Sequence, residues 1–546
     1  VRSNSRKGAG KGAIAAIIIL LIIVGAAAWA VSRHGGQNKT VTTGSATQSQ
    51  GGTTTSQQAP QTSKTVVIGT TDKITELDPA KAYDFLTWEV LSNVMSGLVT
   101  YDPNTGKIVP DLATNWTAMD NDTVWIFHLR KDAKFADGTP CTAYDVVRSI
   151  NRVMRLGQDP SWLVTDFVKN VTAIDKYTVK FVLKTPASYF LALVATPPYY
   201  PVSPKYPNDK VAPDATWGGC GPYMITKWVR DQELVLKPNP YYYGPKPKNS
   251  GVIIKFYSNS QALRLALENK EIDVAWRTLN PNDIKSLKNQ GYNVIEVPGL
   301  FIRYVVIKTD QPPTSNVLVR QALAAAINRP EIAQAVYQGT VEPLYSLVPK
   351  GMWSHTDVFK QKYGDGNIQL AKQLLQKAGY SETHKLQITL WYTPTHYGDT
   401  EAQLAAVIKQ EWESTGMIQV TIKSSEWAQF VNQLKQGQFQ TSLLGWYPDY
   451  LDPDDYLTPF LMYPANSWTG TGYNNTQVNQ LLKKAQMLTD MDQRAQIYKQ
   501  VQQILAEDVP YIPLVQGKLF VVTNPDVVSL QVSPLMFLIY SSIGVK

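Results

Sequence analysis

The stretch FHLRKDAKFADGTPCTAYDVVRSINRV, residues 127–153, reads as strand, turn and helix in that order. Phe127 and Leu129 alternate with His128 and Arg130, the two-residue period of a half-buried strand. Ala136-Asp137-Gly138-Thr139-Pro140 is turn chemistry, with glycine and proline each fixing a backbone conformation. Thr142 stands three residues before Asp145, an acidic variant of the capping box that opens a helix. Val146, Val147, Ile150, Val153 and Met154 then recur at helical spacing and predict one apolar face. The stretch carries no chemistry of its own. It is scaffold.

The same alternation of short strands and amphipathic helices continues from Thr65 onward, which predicts α/β or α+β layers with covered sheets. TVVIGTT reads as a strand, and FIRYVVIKT as a strongly apolar one. VRQALAAAINR is a helix with Val319, Leu323 and Ile327 on one face. Pro330 restarts a helix at its first turn, and Gly339 ends it. A chain of 546 residues exceeds one hydrophobic core and predicts at least two domains.

The formal charge of +8 points first to nucleic acid. Of 52 basic residues, six (Arg2, Arg6, Lys7, Lys11, Arg33 and Lys39) lie in residues 1–39, which hold no acid. The rest carries 46 basic against 44 acidic residues, so no basic face is left for DNA or RNA. Residues 13–31, AIAAIIILLIIVGAAAWAV, are free of charge and long enough for a transmembrane anchor or an export signal. The cationic flank of residues 1–12 predicts an inside N-terminus and an outside globule. No cysteine follows the run, which excludes a bacterial lipoprotein anchor. Residues 32–64 are Gly, Thr, Ser and Gln with little to bury, the composition of a flexible tether. Cys141 and Cys220 are the only cysteines. Outside the cell they form either a disulfide or two buried free thiols.

Several separated segments, in order, resemble family 5 solute-binding proteins of ABC importers, the peptide, nickel and oligosaccharide group. They are GLVTYDPNTGKIVPDLATNW, the opening stretch above, GGCGPY with NPYYYG, VRQALAAAINRPEI, GWYPDYLDP and EDVPYIPL. The resemblance implies an α/β, two-lobed periplasmic-binding-protein-like fold of type II, a Venus flytrap with an extra subdomain. Lobe I would take residues 65–299 and 510–546, with the extra subdomain at about 110–213, and lobe II residues 300–509. Two chain crossings would then let rigid lobes close on a ligand. The implied partners are a peptide, or alternatively an oligosaccharide or other solute, and permease and ATPase subunits on separate chains. The receptor itself would be a monomer at the extracytoplasmic face, with no cofactor.

In the family's peptide-binding members, the residue matching Asp449 takes the α-amino group and the one matching Trp446 lines the cleft. Tyr447 belongs to the same loop, GWYPDYLDPDDYL. The opening loop ITELDPAKAYDFLTWEV resembles the family's first cleft loop and puts Tyr83 and Phe85 beside the ligand, with core packing an equal alternative. Some oligopeptide binders carry arginines in the helix and strand before the GW loop. Here Leu434 and Leu443 stand there, so a ligand carboxylate meets another cation, belongs to a longer peptide outside this rule, or is not bound. Asp452, Asp454 and Asp455 invite a calcium reading, but lack the glycine-spaced pattern of an EF-hand, and the five histidines show no metal-ligand spacing. No metal site is expected. The chain has no G-x-S-x-G, H-E-x-x-H, C-x-x-C or phosphate-cradling glycine loop, so no enzyme is expected either. A tethered hydrolase remains the alternative from a different class, because paired carboxylates need only spatial proximity.

Overall fold

The computed structural model describes residues 64–546 except 215, 216 and 395. The basic flank, the apolar run and nearly all of the tether lie outside the described residues. Among the described residues, no helix is long and apolar enough to cross a membrane.

The opening stretch folds as its pattern predicts. The strand Val124–Leu129 buries Phe127 and Leu129 and exposes His128. The helix Ala143–Leu156 starts on the capping box, Thr142 donating its N–H to Asp145 Oδ2 at 2.9 Å. Val146, Ile150 and Val153 are buried, and the helix ends on Gly157 in the left-handed conformation at φ 56°. Arg152, buried on this helix, forks onto Asp78 through Nη1–Oδ1 at 2.7 Å and Nη2–Oδ2 at 2.5 Å. Asp78 also accepts the N–H groups of Ala80 and Ala212. The helix thus fixes the loop that carries Tyr83. Removing one partner of such a buried pair typically costs about 3–5 kcal/mol.

A four-stranded antiparallel sheet, in the order Ala113–Met119, Val124–Leu129, Thr178–Leu183, Val168–Asp175, forms the extra layer beside this helix. The dominant feature is an eleven-stranded mixed sheet. From one edge it runs Ile418–Ser424, Leu386–Tyr392, Thr441–Trp446, Asn293–Ile307, Tyr511–Thr523, Val274–Trp276, Thr65–Thr70, Gly251–Phe256, Glu233–Pro238, Tyr223–Val229. The strand Val341–Pro343 pairs off this path with Tyr511–Thr523.

Two hydrophobic cores flank the middle of the sheet. One gathers Val66, Leu91, Phe127, Ile254 and Tyr540. The other gathers Ile302, Leu323, Trp412, Leu443 and Tyr498; here Val319 and Leu323 are buried on the helix Val317–Ala326, and Ile327 is buried in extended backbone just past its end. The antiparallel strands Asn293–Ile307 and Tyr511–Thr523 pass from one core to the other, with an irregularity between Val297 and Phe301. At that point Gly299 lies against Gly517, and a Cβ on Gly299 would sit 1.4 Å from the Gly517 carbonyl oxygen. Only glycine lets the two backbones touch there. Tyr511, Ile512, Leu514 and Val515 pack in the second core. The strand therefore passes from the second core to the first near Gly517, inside its length.

Candidate ligand-binding cleft

The opening loop and the GW loop meet between the two cores. Asp84 caps the helix Phe85–Val94, its Oδ1 accepting the Thr87 N–H at 2.9 Å. This cap sets Tyr83 and Phe85 on either side of it. The Tyr83 hydroxyl donates to Asp449 Oδ2 at 2.7 Å and accepts from Trp162 Nε1 at 3.2 Å. The Phe85 ring lies 4.5 Å from that of Tyr447, which stacks on Phe301 at 4.7 Å.

The GW loop follows the fully buried strand Thr441–Trp446. Asp455, itself buried, ties the loop together: its Oδ2 accepts Trp446 Nε1–H at 3.1 Å and the Asp449 N–H at 3.0 Å. Asp452 is forked by Arg494 at 3.0 and 2.6 Å. Asp454 accepts the hydroxyls of Tyr189 and Tyr450, both at 3.1 Å, and Tyr189 stacks on Tyr450. All three carboxylates thus have protein donors and positioning roles. Among the described residues, no group of His, Cys, Asp and Glu could hold a metal ion.

Asp449 is 8% exposed. Burial pushes its carboxyl up to about 7, against the opposing hydrogen bond from Tyr83. Burial, with the Asp449 charge behind it, pushes Asp455 well above the carboxylate range. Trp446 is also mostly buried, packed on Phe460 at 5.0 Å and Trp468 at 5.4 Å, with Tyr83 edge-on at 6.5 Å. Its ring packs mainly on these protein aromatics. Tyr83, Phe85, Trp446, Tyr447 and Asp449 form one contiguous set.

Cys141 and Cys220 lie elsewhere, in a small buried cluster with Leu112, Ala133 and Phe135. Both are free thiols. Burial and the neighbouring Cys141 push the Cys220 thiol well up, which leaves little of the thiolate that disulfide exchange requires. Leu434 and Leu443 are buried in the second core.

The cations of the cleft come from positions without a spacing motif. Arg277 follows the strand Val274–Trp276, and it and Thr278 both adopt left-handed backbone, at φ 55° and 59°. Each such non-glycine residue costs on the order of 1–3 kcal/mol, and such outliers cluster at functional sites. The Arg277 guanidinium sits 4.2 Å from the Phe85 ring centroid and 4.7 Å from that of Tyr447, and Nη2 donates to the Tyr447 hydroxyl at 3.2 Å. Arg303, the lone charge in FIRYVVI, lies 3.8 Å over Tyr397 and donates to Glu401. His396 stacks on Trp427 with centroids 3.7 Å apart. Burial lowers this imidazole to about 4, with Arg277 and Arg303 adding to the effect, so it is neutral.

The lobes are held together outside the cleft by Lys435 Nζ to Asp159 at 2.7 Å, Gln338 to Asn282 at 2.8 Å, and the Ser260 N–H to Asp399 at 3.2 Å. This is a closed arrangement.

Known proteins share this architecture. A probable D,D-dipeptide-binding periplasmic protein, DdpA of Escherichia coli (strain K12), is 28% identical over 486 residues, covering 86% of this chain and 92% of its own. The dipeptide-binding protein of Pseudoalteromonas sp. SM9913, solved with Met-Leu, superposes with a TM-score of 0.81 at 25% identity, over 88% of this chain and all of its own. The Escherichia coli murein tripeptide binding protein MppA gives 0.79 at 25% identity, over 89% of this chain and 99% of its own. The unliganded open form of MppA gives only 0.66, over 88% and 97%. The drop fits the closed lobes seen here. Residues 107–468 match the family described as bacterial extracellular solute-binding proteins, family 5, middle. The chain belongs to the family 5 bacterial extracellular solute-binding proteins.

Proposed function

We propose that this protein captures short peptides between its lobes and delivers them to the permease of an ABC importer. The observation that carries the reading is Asp449, a carboxylate 8% exposed among aromatic rings and poised between the lobes. A buried carboxylate in such a setting binds an ammonium strongly, whereas a neutral glycan leaves it uncompensated. Tyr83 orients the carboxylate, Asp455 and Trp446 hold its loop, and Phe85 and Tyr447 supply the apolar walls. The names of the relatives support the peptide class, since they include a D,D-dipeptide and a murein tripeptide binder.

No covalent step belongs to this mechanism: open lobes admit the peptide, closure buries it, and the closed shape is what the permease meets. The importer's permease and ATPase are separate chains, and the receptor works as a monomer on the extracytoplasmic side. Residues 13–31 and the following tether would hold it at the membrane, a reading that rests on their composition.

A thermal-shift screen of dipeptides and tripeptides against oligosaccharides tests the reading, because a ligand specific to the native state raises the melting point. Stabilisation by peptides alone is the expected result. Stabilisation by oligosaccharides alone makes the peptide reading wrong.

A further inference from the structure

The surface away from the binding loops carries a second kind of chemistry. Four Asn-x-Thr triplets begin within the described residues, at Asn115, Asn121, Asn170 and Asn474, and none has proline in the middle. This triplet is the acceptor signal for N-glycosylation of exported chains. Such triplets also arise by chance, so their placement decides what they mean. All four asparagines are exposed. Three of them sit on the four-stranded sheet of the extra layer: Asn115 in the strand Ala113–Met119, Asn170 in Val168–Asp175, and Asn121 in the turn after the first of these.

Asn115 and Asn170 occupy the two edge strands of that sheet, each hydrogen-bonded to a neighbour on one side only. The two-residue period of a strand puts the asparagine and threonine of a triplet on one face and the residue between them on the other. The middle residues, Trp116 and Val171, accordingly pack in the first core. Asn115, Thr117, Asn170 and Thr172 are all exposed. Thr117, Ile126, Lys180 and Thr172 pair in turn across the four strands, so the two triplets share the outer face. Three strand spacings, roughly 14 Å, separate them. An irregularity in each ladder falls at the acceptor itself, between Ala113 and Asn115 and between Val168 and Asn170. On edge strands such irregularities re-aim a side chain. Asn121 is exposed in the hairpin turn, where Asp120, Asn121 and Asp122 all adopt left-handed backbone.

The same edges need protection. An open strand edge offers unpaired N–H and C=O groups to a second chain, and charge, proline or a cover are the usual safeguards. The strand ATNWTAM, Ala113–Met119, has no charge and no proline, and it ends on Met119, which is 41% exposed. The other edge exposes Ile174 at 56%, with Lys169 and Asp175 as its charged residues. A sugar chain on Asn115 and another on Asn170 would stand a bulky, hydrated group at each edge.

We infer that the outer face of this sheet is an N-glycosylated surface, with Asn115, Asn121 and Asn170 as acceptors and the two edge strands as what the sugars shield. The inference rests on the extracytoplasmic location read above and not on the ligand. The reaction is a glycosyl transfer from an oligosaccharide carried on a polyisoprenyl phosphate, catalysed by a membrane transferase of the producing cell. The bond from the anomeric carbon to the phosphate oxygen breaks, a bond from that carbon to the asparagine Nδ2 forms, and the displaced amide proton ends on the phosphate. Asn474 is set apart: its Oδ1 accepts from Asn479 Nδ2 at 2.9 Å, and its Thr476 opens the helix Thr476–Met487.

Site-resolved mass spectrometry of the protein purified from its own cells tests this. Peptides holding Asn115, Asn121 and Asn170 should each carry a glycan mass. Thr117→Ala and Thr172→Ala should each remove it from their own triplet while the asparagine stays. Should a variant fail to fold, the wild-type spectrum decides alone. An Asn115 or Asn170 peptide recovered wholly unmodified overturns the inference, whatever Asn121 carries. The shielding is read by sedimentation of the native protein against the same chain produced in cells that lack the transferase. The native protein should stay monomeric to concentrations at least about tenfold above those at which the bare chain self-associates. A bare chain that stays monomeric as far as the native one overturns the shielding. Neither readout uses a ligand, so a failure to bind peptides leaves this inference standing, and missing glycans leave the peptide reading standing.

Discussion

Replacing Asp449 by Asn removes a charge while leaving the loop almost untouched. The amide oxygen can still accept from Tyr83, and the Asp449 N–H to Asp455 bond belongs to the backbone. The loss should therefore appear in ligand binding and not in folding. Truncating one partner of a buried charged pair costs about 2–5 kcal/mol, so the affinity for a dipeptide should fall between about 30-fold and a few thousand-fold. The same loss should follow from acetylating the peptide's amine in the wild type, and the two changes together should cost little more than either alone. The buried carboxyl adds a pH signature. With Asp449 at about 7 in the empty cleft, half of it is protonated at pH 7. An ammonium ligand must displace that proton, so affinity should drop nearly tenfold per pH unit below about 6.5 in the wild type and stay flat in Asp449→Asn. Isothermal titration calorimetry between pH 5 and 7.5 reads all of this. Asp449→Asn binding within about twofold of the wild type, or a loss that simply adds to that of acetylation, would refute the amine anchor.

Three further outcomes follow from the geometry. Gly299→Ala puts a methyl 1.4 Å from a rigid carbonyl oxygen, whereas Gly517→Ala meets only the Phe301 ring at 2.4 Å. Gly299→Ala should destabilise by about 3 kcal/mol or more and Gly517→Ala by less, read as melting temperatures, and the reverse order contradicts the close backbone contact at Gly299. Glu89 and Glu401 are pushed up to about 7 and Glu411 to about 8, in each case mainly by burial. Their folded values lie above their unfolded ones, so the stability they contribute is full below about 4.5 and is lost as pH rises through about 7–8. The ligand-free protein should accordingly melt higher at pH 6 than at pH 8, and a lower melting point at pH 6 contradicts this. Finally, Lys435→Ala removes an interlobe ion pair that is largely exposed. It should weaken peptide binding by no more than about fivefold, through faster release and without a change in melting point. A slower release would count against a role in holding the closed form.

Much of this fold is legible in residue patterns. Thr142 three residues before Asp145 marks a helix start, and Val319, Leu323 and Ile327 mark a buried face, because capping and periodicity are local. The lobe boundary is not legible in the same way. YIPLVQGKLFVVT is one continuous apolar strand, and nothing local marks Gly517 as the point where it leaves one core for the other. The site divides similarly. Asp449, Tyr447, Tyr83 and Phe85 can be found because their loops carry distinctive wording. Trp446 is found too, but its burial against Phe460 and Trp468 is a property of packing. Arg277 and Arg303 escape notice because a single charge at the end of VAW or inside FIRYVVI has no spacing partner. Their meeting depends on two lobes closing. The one local hint is that an arginine within an apolar strand must find a buried counterion, here Glu401. Nothing local to His396 marks it for burial, yet Trp427, some thirty positions later, covers its ring.

Lobes that shut on a peptide must change the dimensions of the molecule in solution. Small-angle scattering of the purified globule, with and without a saturating dipeptide that calorimetry has shown to bind, tests it most directly. With peptide the profile should match this closed structure, and without it the radius of gyration should be larger. A bound peptide with no change in the profile would contradict it.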